Sequence, residues 1–294
     1  MPADDRALVF GDLIDDIIVV PSGPIRSDTD TASSIRSQPG GSAANTAAWM
    51  AAAGADVTFV GRCGQVDAER HAHLLEAVGV HARITGDTTL PTGAIIVIVE
   101  GDRRSMLTER GANAALSPDD IDPGGFTLVH ATGYSVLGHE EEFARLTARA
   151  HRAGARVSLN AGSVAAIDDV GAEAFTAATA GADILVATTA EAGLLTGADD
   201  PGAAAHVLAQ RHGAAAVTAG RDGAWACARG NAAVHVPAVV VDAVDPTGAG
   251  DSFSAGFLAG LLRGQAPEAA AAAGAALAAR AVCAYGARPA AVRR

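Results

Sequence analysis

A glycine-rich turn that ends in a carboxylate, in the last quarter of the sequence, is the segment best suited to chemistry. Asp245–Asp251 reads DPTGAGD and lies between the apolar run Val239–Val241 and a segment with apolar residues at helical spacing. We therefore predict a strand that runs through this turn into a helix. The first amide groups of a helix lack intrahelical acceptors and lie at the positive end of its dipole, so they bind anions. The turn predicts an anion site formed by the backbone of Gly248, Ala249 and Gly250.

Asp251, the last residue of this turn, has two interpretations. A carboxylate beside an anion site repels the anion, but it can act as a general base that takes the proton of a hydroxyl while the amides hold a phosphoryl group. The alternative is that it only caps the helix. A dinucleotide-binding turn would also explain the glycines, but Phe253 stands where the third glycine of GxGxxG is required. The residues therefore favour phosphoryl transfer with Asp251 as base.

A pair of glycines also precedes a predicted helix nearer the N-terminus. Gly40 and Gly41 allow the backbone to approach a ligand closely. Asn45, one turn into the helix, can both donate to and accept from hydroxyl groups. This segment predicts a contact with a ligand that carries hydroxyls.

Taken together, these segments resemble the PfkB or ribokinase-like family of small-molecule kinases, and the resemblance extends over nearly the whole chain. The family signature GGxxxN matches Gly40–Asn45, and DTxGAGD matches Asp245–Asp251 with the common DPT opening. Asp16 ends a match to the family's GxxxxD segment, Arg110–Leu116 resembles its GANxxL segment, and Thr218–Gly223 resembles its TxGxxG nucleotide loop. Both signatures occur in the family's order and at its separation.

The resemblance implies an ATP-dependent kinase that uses Mg²⁺ and, in some members, K⁺. It assigns the role of base to Asp251, and the anion hole to Gly248, Ala249 and Gly250. The residues that it assigns to the substrate are Asp16, Gly40, Gly41, Asn45 and Asn113. Arg110, beside the predicted lid, is a further substrate candidate, since an arginine there can bind an acidic or phosphorylated group with two hydrogen bonds; the alternative is a solvated surface arginine. The residues that the resemblance assigns to the nucleotide are Thr188, Thr218, Gly220 and Gly223. It places Glu191 near Mg²⁺ through water, and Asp245 and Thr247 near a monovalent cation.

The sequence departs from the family at positions that bear on metal and substrate. The family's NxxE segment is Thr188–Glu191, with Thr in place of Asn, so we expect metal binding that is retuned and not lost. Its GDD segment is Gly64–Asp67, in which the acids are displaced. Ser42 stands where some ribokinases carry Lys, and Gly133 with Tyr134 replaces an acid near the sugar. The last two departures argue against ribose as the substrate.

We accordingly predict transfer of the γ-phosphoryl group of ATP to a hydroxyl of a small sugar or sugar derivative, which Asp16 and Asn45 position. A nucleoside kinase of the same fold is one alternative, although an aromatic content of 4% offers little to bind a base. The other alternative is a sugar-binding regulatory protein with weakened catalysis, which the departures at Thr188 and at Gly64–Asp67 permit.

The elements that must position these residues alternate between short apolar runs and alanine-rich helical segments. This alternation predicts a mainly parallel central sheet covered by helices on both faces, an α/β three-layer sandwich of the ribokinase type in a single domain over residues 1–294. Residues 17–38 and 91–110 lack a crossover helix, so we predict that they form a small β flap, or lid, over a cleft. The resemblance implies that the open edge of that lid can pair with a second copy in a homodimer, as in some relatives.

Composition excludes several other classes of protein. A formal net charge of -12 disfavours a nucleic-acid partner. All 21 basic residues are Arg, which excludes a Schiff-base lysine and the lysines of Walker A motifs and protein kinases. Three cysteines without CxxC spacing indicate a reducing compartment. We expect no membrane partner and no signal peptide, and a cytoplasmic location.

Overall fold

The structure is a computed structural model that describes residues 6–101 and 103–290. The strands in this part of the chain are β1 (Arg6–Phe10), β2 (Ile14–Pro21), β3 (Ser33–Gly40), β4 (Asp56–Gly64), β5 (His81–Asp87), β6 (Gly93–Glu100), β7 (Arg103–Glu109), β8 (Leu128–Thr132), β9 (Arg156–Asn160), β10 (Ile184–Thr188), β11 (Ala214–Thr218), β12 (Ala224–Ala228) and β13 (Val234–Val236). The α-helices are α1 (Ser42–Ala52), α2 (Ala68–Glu76), α3 (Gly133–Val136), α4 (Glu140–Arg152), α5 (Val164–Val170), α6 (Ala172–Ala178), α7 (Thr189–Thr196), α8 (Pro201–His212), α9 (Ala249–Leu262) and α10 (Pro267–Val282). Within the described ranges, none of these helices has both the length and the hydrophobicity needed to cross a bilayer.

Nine strands form the central sheet, in the order β13-β12-β11-β10-β9-β8-β1-β4-β5. The strands from β11 to β5 are parallel to their neighbours, whereas β12 and β13 pair antiparallel at one edge. The predicted mainly parallel α/β sheet is therefore confirmed. Because all carboxyl ends of the parallel strands meet at one edge, that edge is where a site is expected.

Two hydrophobic layers lie on opposite faces of this sheet. Along β1, Ala7 and Val9 pack with helices α1, α9 and α10, while Leu8 and Phe10 pack with α4 to α8. Successive side chains of a strand point to opposite faces, so a strand covered on both sides has to be apolar throughout. This explains why the central strands read as short continuous apolar runs, and it confirms the three-layer prediction.

The lid is a separate four-stranded sheet in the order β3-β2-β6-β7. Its outer pairs are antiparallel, and its inner pair, β2 with β6, is parallel. Strands β2 and β3 together run from Ile14 to Gly40, a few residues beyond the predicted segment 17–38 at each end. Strands β6 and β7 lie within the predicted segment 91–110. Gly40 pairs with Ile14, and only Gly41 separates it from α1. The base of the lid is thus continuous with the segment that carries Gly41 and Asn45.

One expected strand is absent from the part of the chain that the structure describes. The apolar run Val236–Val241 favours a strand, but β13 ends at Val236 and residues 237–243 have no regular structure. Pro237 lacks a backbone N–H and stops the pairing. Val239, Val240 and Val241 instead line the wall of a cavity.

Candidate active site

The glycine-rich turn forms the N-terminus of α9. Gly248 is the N-cap residue, with φ of 77°, a left-handed conformation that glycine adopts freely. A Cβ at Gly248 would lie 2.8 Å from the Cα of Ala287, so the close approach of the C-terminal segment also requires glycine. The amides of Gly248, Gly250 and Asp251 have no acceptor among the described residues, whereas that of Ala249 donates to the Pro246 carbonyl at 3.2 Å. Three of the four amides can therefore donate to an anion.

Asp251 lies in the first turn of α9 and contacts the first turn of α1. The Ser42 hydroxyl donates to its Oδ1 at 2.6 Å, and Nδ2 of Asn45 donates to its Oδ2 at 2.9 Å. Burial raises the pKa of Asp251 to about 6, although the bonds from Ser42 and Asn45 lower it. A carboxyl group with a pKa near the working pH can both take and release a proton. Asp251 makes no hydrogen bond that would cap its own helix, which disfavours the capping interpretation.

A second carboxylate, which the sequence reasoning did not single out, fixes the start of α1. Asp12 accepts hydrogen bonds from the amides of Ser42 and Ala43 and from the hydroxyl of Thr132. Gly41, just before the helix, has a φ of 95° and lies close to the Asp12 carbonyl. A Cβ at this position would lie 2.3 Å from that carbonyl oxygen. Asp12 thereby holds Ser42 and Asn45 in place. Its only sequence signal was its position just after a buried strand.

Asp16 is buried at the base of the lid, on β2. A Cβ at Gly40 would lie 2.3 Å from an Asp16 carboxylate oxygen, so Gly40 leaves room for this side chain. Burial raises the pKa of Asp16 to about 7; Arg288 lowers it, and the nearby charges of Asp12 and Asp251 raise it. The two predicted site carboxylates, Asp16 and Asp251, are thus close enough to influence each other.

The C-terminal segment after α10 brings an arginine into the same site. Nε of Arg288 donates to Oδ1 of Asn45 at 3.1 Å, and Nη2 donates to the Gly40 carbonyl at 2.6 Å. Burial lowers the pKa of Arg288 to about 10, which leaves it a cation at neutral pH. Sequence reasoning missed Arg288 because no motif surrounds it; only its tertiary position places it here.

The residues predicted from the GANxxL segment have a different environment. Oδ1 of Asn113 accepts from the Leu13 amide at 2.8 Å, and its Nδ2 donates to the carbonyls of Leu13 and Arg110, both at 2.9 Å. Asn113 therefore ties the end of the lid to the loop between β1 and β2. Its amide is committed to the backbone, in contrast to the direct substrate contact that the resemblance implied. Arg110 is partly buried at the end of β7, beside this junction.

A cavity of about 760 Å³ lies beside the N-terminus of α9. The predicted nucleotide residues Thr218, Gly220 and Gly223 line it together with Ala249 and Gly250 of the anion turn. The remainder of its wall is mostly apolar and comes from the segment after β13 and from α10: Ala238, Val239, Val240, Val241, Ala275, Ala278, Ala279 and Val282. A cavity of this size, apolar at one end and with free amides at the other, suits a ligand with a flat ring and phosphates.

Thr188 and Glu191 together cap α7. The Glu191 amide donates to the Thr188 hydroxyl at 3.3 Å, and the Thr188 amide donates to Oε2 of Glu191 at 2.7 Å, which is a capping box. Thr thus replaces the family's Asn with another good capping residue. Across residues 6–101 and 103–290, no group of three or more His, Cys, Asp or Glu side chains could hold a metal ion.

Asp245 and Thr247, the predicted monovalent-cation residues, lie next to an arginine of the lid. The Thr247 hydroxyl donates to Oδ1 of Asp245 at 2.6 Å, and the Gly286 amide donates to Oδ2 at 3.2 Å. Nη2 of Arg104 lies 3.6 Å from Oδ1 of Asp245, and its Nη1 lies 3.4 Å from the Thr247 hydroxyl. Burial raises the pKa of Asp245, but the bonds from Thr247 and Gly286 outweigh it and lower the pKa overall. A guanidinium group therefore provides the positive charge beside Asp245.

Comparison with known proteins gives consistent matches along the chain. The sequence model of the pfkB family carbohydrate kinases matches residues 4–293. An ATP-dependent ribose-1-phosphate kinase of Halopiger xanaduensis is 34% identical over 248 residues, which cover 79% of this chain and 77% of that protein. A fructokinase of Klebsiella pneumoniae is 32% identical over 240 residues, 76% of each chain. The solved structure of adenosine kinase from Sinorhizobium meliloti superimposes with a TM-score of 0.85 at 27% identity, over 97% of this chain and 96% of that one.

Proposed function

The chain belongs to the pfkB family of carbohydrate kinases, and from this premise we propose that it phosphorylates a hydroxyl of a neutral sugar, with Asp251 as general base. It is an ATP-dependent kinase of the sugar and nucleoside type, a phosphotransferase with a hydroxyl acceptor. The observation that carries the proposal is the position of Asp251: its carboxylate lies beside free amides of α9 and is held by Ser42 and Asn45 of α1.

In the proposed reaction Asp251 takes the proton of the acceptor hydroxyl as that oxygen attacks the γ-phosphorus of ATP. The bond between the γ-phosphorus and the β–γ bridging oxygen breaks, ADP leaves, and the proton stays on Asp251 until solvent removes it. Charge builds up on the phosphoryl oxygens in the transition state, where the amides of Gly248, Gly250 and Asp251 stabilise it. Because the helix fixes these amides beforehand, they need little reorganisation during the reaction.

Charge at the acceptor side supports a substrate whose reacting end is neutral. Besides burial, the charges of Asp12 and Asp251 raise the pKa of Asp16, the charge of Asp12 also raises that of Asp251, and Arg288 lowers both. A phosphate or carboxylate at this end of the substrate would meet these carboxylates. Hydroxyl groups, in contrast, can donate hydrogen bonds to carboxylate oxygens.

A nucleoside acceptor is the second candidate, and the likeness to the adenosine kinase structure favours it. A nucleoside also presents neutral ribose hydroxyls, so the carboxylates alone do not separate the two classes. A screen of ADP release with neutral sugars, sugar phosphates and nucleosides distinguishes them. We expect turnover with neutral sugars and weaker turnover with phosphorylated ones.

ATP is proposed to bind in the 760 Å³ cavity as its magnesium complex. Thr218, Gly220 and Gly223 would contact the nucleotide. The metal would be held by the phosphates and, through water, by Glu191, whose Oε2 is occupied by the capping box while Oε1 has no partner among the described residues. In this complex magnesium supplies positive charge against the phosphates.

Replacing the base tests the proposal. Asp251→Asn should lower kcat about 10²- to 10⁴-fold, the usual contribution of a general base, while binding of a non-hydrolysable ATP analogue persists. Asp169→Asn, which makes the same change at an exposed position of α5, is the matched control and should leave kcat unchanged. A stable Asp251→Asn protein with near-normal kcat would refute the base assignment.

A further inference from the structure

Arg288 reaches the site from a part of the chain that no motif marks, and its contacts bear on the base. We propose that Arg288 is a positioning residue of the phosphoryl transfer: it fixes the amide orientation of Asn45 and, through Asn45, the carboxylate of Asp251. This inference rests on the proposed role of Asp251. It extends that role to a third residue, 243 positions from Asn45 in the sequence.

The chemistry of the two groups makes the orientation of Asn45 unambiguous. An arginine side chain has only donors, so Nε of Arg288 requires the carbonyl oxygen of the Asn45 amide. The NH₂ group of that amide must then face the opposite way, where it donates to Oδ2 of Asp251 at 2.9 Å. A flipped Asn45 would set its oxygen against a carboxylate and its NH₂ against a guanidinium. Arg288 therefore selects the one orientation in which Asn45 supports the base.

The backbone that carries Arg288 is held by contacts on both sides. Trp49 of α1 donates from Nε1 to the Ala287 carbonyl at 2.8 Å, and the Gly286 amide donates to Asp245 at 3.2 Å. Ala287 also packs against Gly248, at the N-cap of α9. The segment that carries Arg288 is thus anchored both to α1 and to the turn of the anion site, so it joins the two helices whose ends meet at Asp251.

The charges around Arg288 are mostly negative. Four carboxylates act on the guanidinium. They are Asp15 and Asp16 of β2, Asp12 in the loop before β2, and Asp251 of α9. The Ser42 hydroxyl also contacts Asp251, and burial, with a smaller contribution from the charge of Asp251, raises the pKa of Tyr134. Arg288 partly neutralises this cluster and so favours the ionised form of Asp251, the form that a base requires. Its two effects, orientation and charge, can be separated by substitution.

The first test compares Arg288→Met and Arg288→Lys with Arg152→Met, an exposed arginine of α4 that controls for the loss of one charge. We expect Arg288→Met to lower kcat about 10- to 100-fold, the cost of a misplaced catalytic group, with little change in the sugar KM. The acidic limb of its kcat–pH profile should also move to higher pH, because Asp251 loses the nearby positive charge that favours its ionised form. Arg288→Lys keeps the charge without the planar fork, so its acidic limb should stay in place while kcat remains reduced.

Nη1 of Arg288 is buried and has no hydrogen-bond partner among the described residues. A role for this atom in binding the sugar is therefore the alternative to positioning, and it predicts a different result. If Nη1 instead binds the sugar, Arg288→Met will raise KM and leave kcat and its pH profile unchanged. Should Arg288→Met fail to fold, as judged by thermal unfolding, Arg288→Lys decides the matter: full kcat with a raised KM contradicts positioning.

A double-mutant cycle with Asn45→Ala tests whether the effect passes through Asn45. In the Asn45→Ala background, measured at a pH well above the acidic limb so that the charge effect does not contribute, we expect Arg288→Met to change kcat by no more than about twofold, because the orienting effect passes only through Asn45. Additive losses would overturn the inference. The proposed function has its own test: it fails if Asp251→Asn retains kcat. If Asp251→Asn is inactive and the losses from Arg288→Met and Asn45→Ala are additive, only the role of Arg288 is refuted.

Discussion

Asp251 accepts two side-chain hydrogen bonds in the free protein, and these bonds decide how readily it carries a proton. Burial favours the protonated acid, whereas the donors Ser42 and Asn45 favour the carboxylate, and the balance is a pKa of about 6. Activity should therefore rise as the pH rises through about 6. The same residue in water would be ionised at a much lower pH and would be a weaker base.

Removal of the Ser42 hydroxyl should move this titration. Ser42→Ala deletes a hydrogen bond to the carboxylate, so the pKa of Asp251 rises and the acidic limb of kcat shifts to higher pH. The loss of activity should be greatest near pH 6 and small in alkaline solution. Profiles of kcat against pH for Ser42→Ala and for the exposed control Ser27→Ala measure the shift. An unchanged limb in Ser42→Ala would separate this bond from catalysis.

The ionised form of Asp16 should lower the free energy of unfolding, because the folded protein buries this side chain. Its pKa of about 7 in the folded protein lies above the ordinary value of 3.8, so the folded state binds the proton more tightly than the unfolded chain does. The destabilisation thus grows as the pH rises from about 4 and is complete above about 7. Asp16→Asn should raise the free energy of unfolding at pH 8 by about 1 to 3 kcal/mol, and little at pH 4, while it abolishes turnover.

Thermal unfolding at both pH values measures this difference. Asp169→Asn, exposed on α5, gives the reference for the loss of one carboxylate. A variant Asp16→Asn that is less stable than the wild type at pH 8 would show that the Asp16 carboxylate is stabilised in the fold, contrary to this expectation.

At the scale of elements, specific contacts fix the start of each helix in the site. Asp12 holds the start of α1, Gly248 with Ala287 shapes the start of α9, and Thr188 with Glu191 caps α7. The lid joins this arrangement through Arg104 of β7, which lies beside Asp245 just before the anion turn. Lid position and the conformation of the turn are therefore linked by one charge pair.

This pair leads to a prediction about monovalent cations. The Arg104 guanidinium already places a positive charge beside Asp245, so K⁺ should stimulate the wild-type enzyme little. Arg104→Gln should lose activity in K⁺-free buffer and recover part of it with K⁺, since Asp245 and Thr247 then lack their cation. Arg103→Gln, at the adjacent exposed lid position, is the control. Equal activity of both variants, with no response to K⁺, would contradict this role of Arg104.

At the scale of the whole molecule, the lid exposes several large apolar side chains. Ile35, Met106 and Leu107 are each more than half exposed, at 65%, 63% and 58%. Exposed apolar side chains on an open sheet favour association with another sheet. The predicted homodimer through the lid stays a prediction, and this surface is where we expect the contact.

Sedimentation over a range of protein concentrations tests this contact. The wild type should sediment as a dimer, and Leu107→Glu should shift it to a monomer because a charge would be buried in the contact. Val66→Glu, at an exposed position outside the lid, should remain dimeric. A wild-type monomer at every concentration would refute pairing through the lid.

The local sequence was sufficient to predict the α/β layers, the lid and a glycine-rich turn at the start of a helix, because each depends on a short pattern: apolar periodicity, a glycine pair or a motif at fixed spacing. The hydrogen bond from Asn45 to Asp251 came only from the structure. The local sequence misplaced the strand after Val236, where Pro237 ends the pairing despite the apolar run. Tertiary structure alone decided the parts played by Arg288, Arg104 and Asp12. Their chemistry arises from contacts between segments far apart in the chain, and a single charged side chain has no periodicity that would reveal its partner.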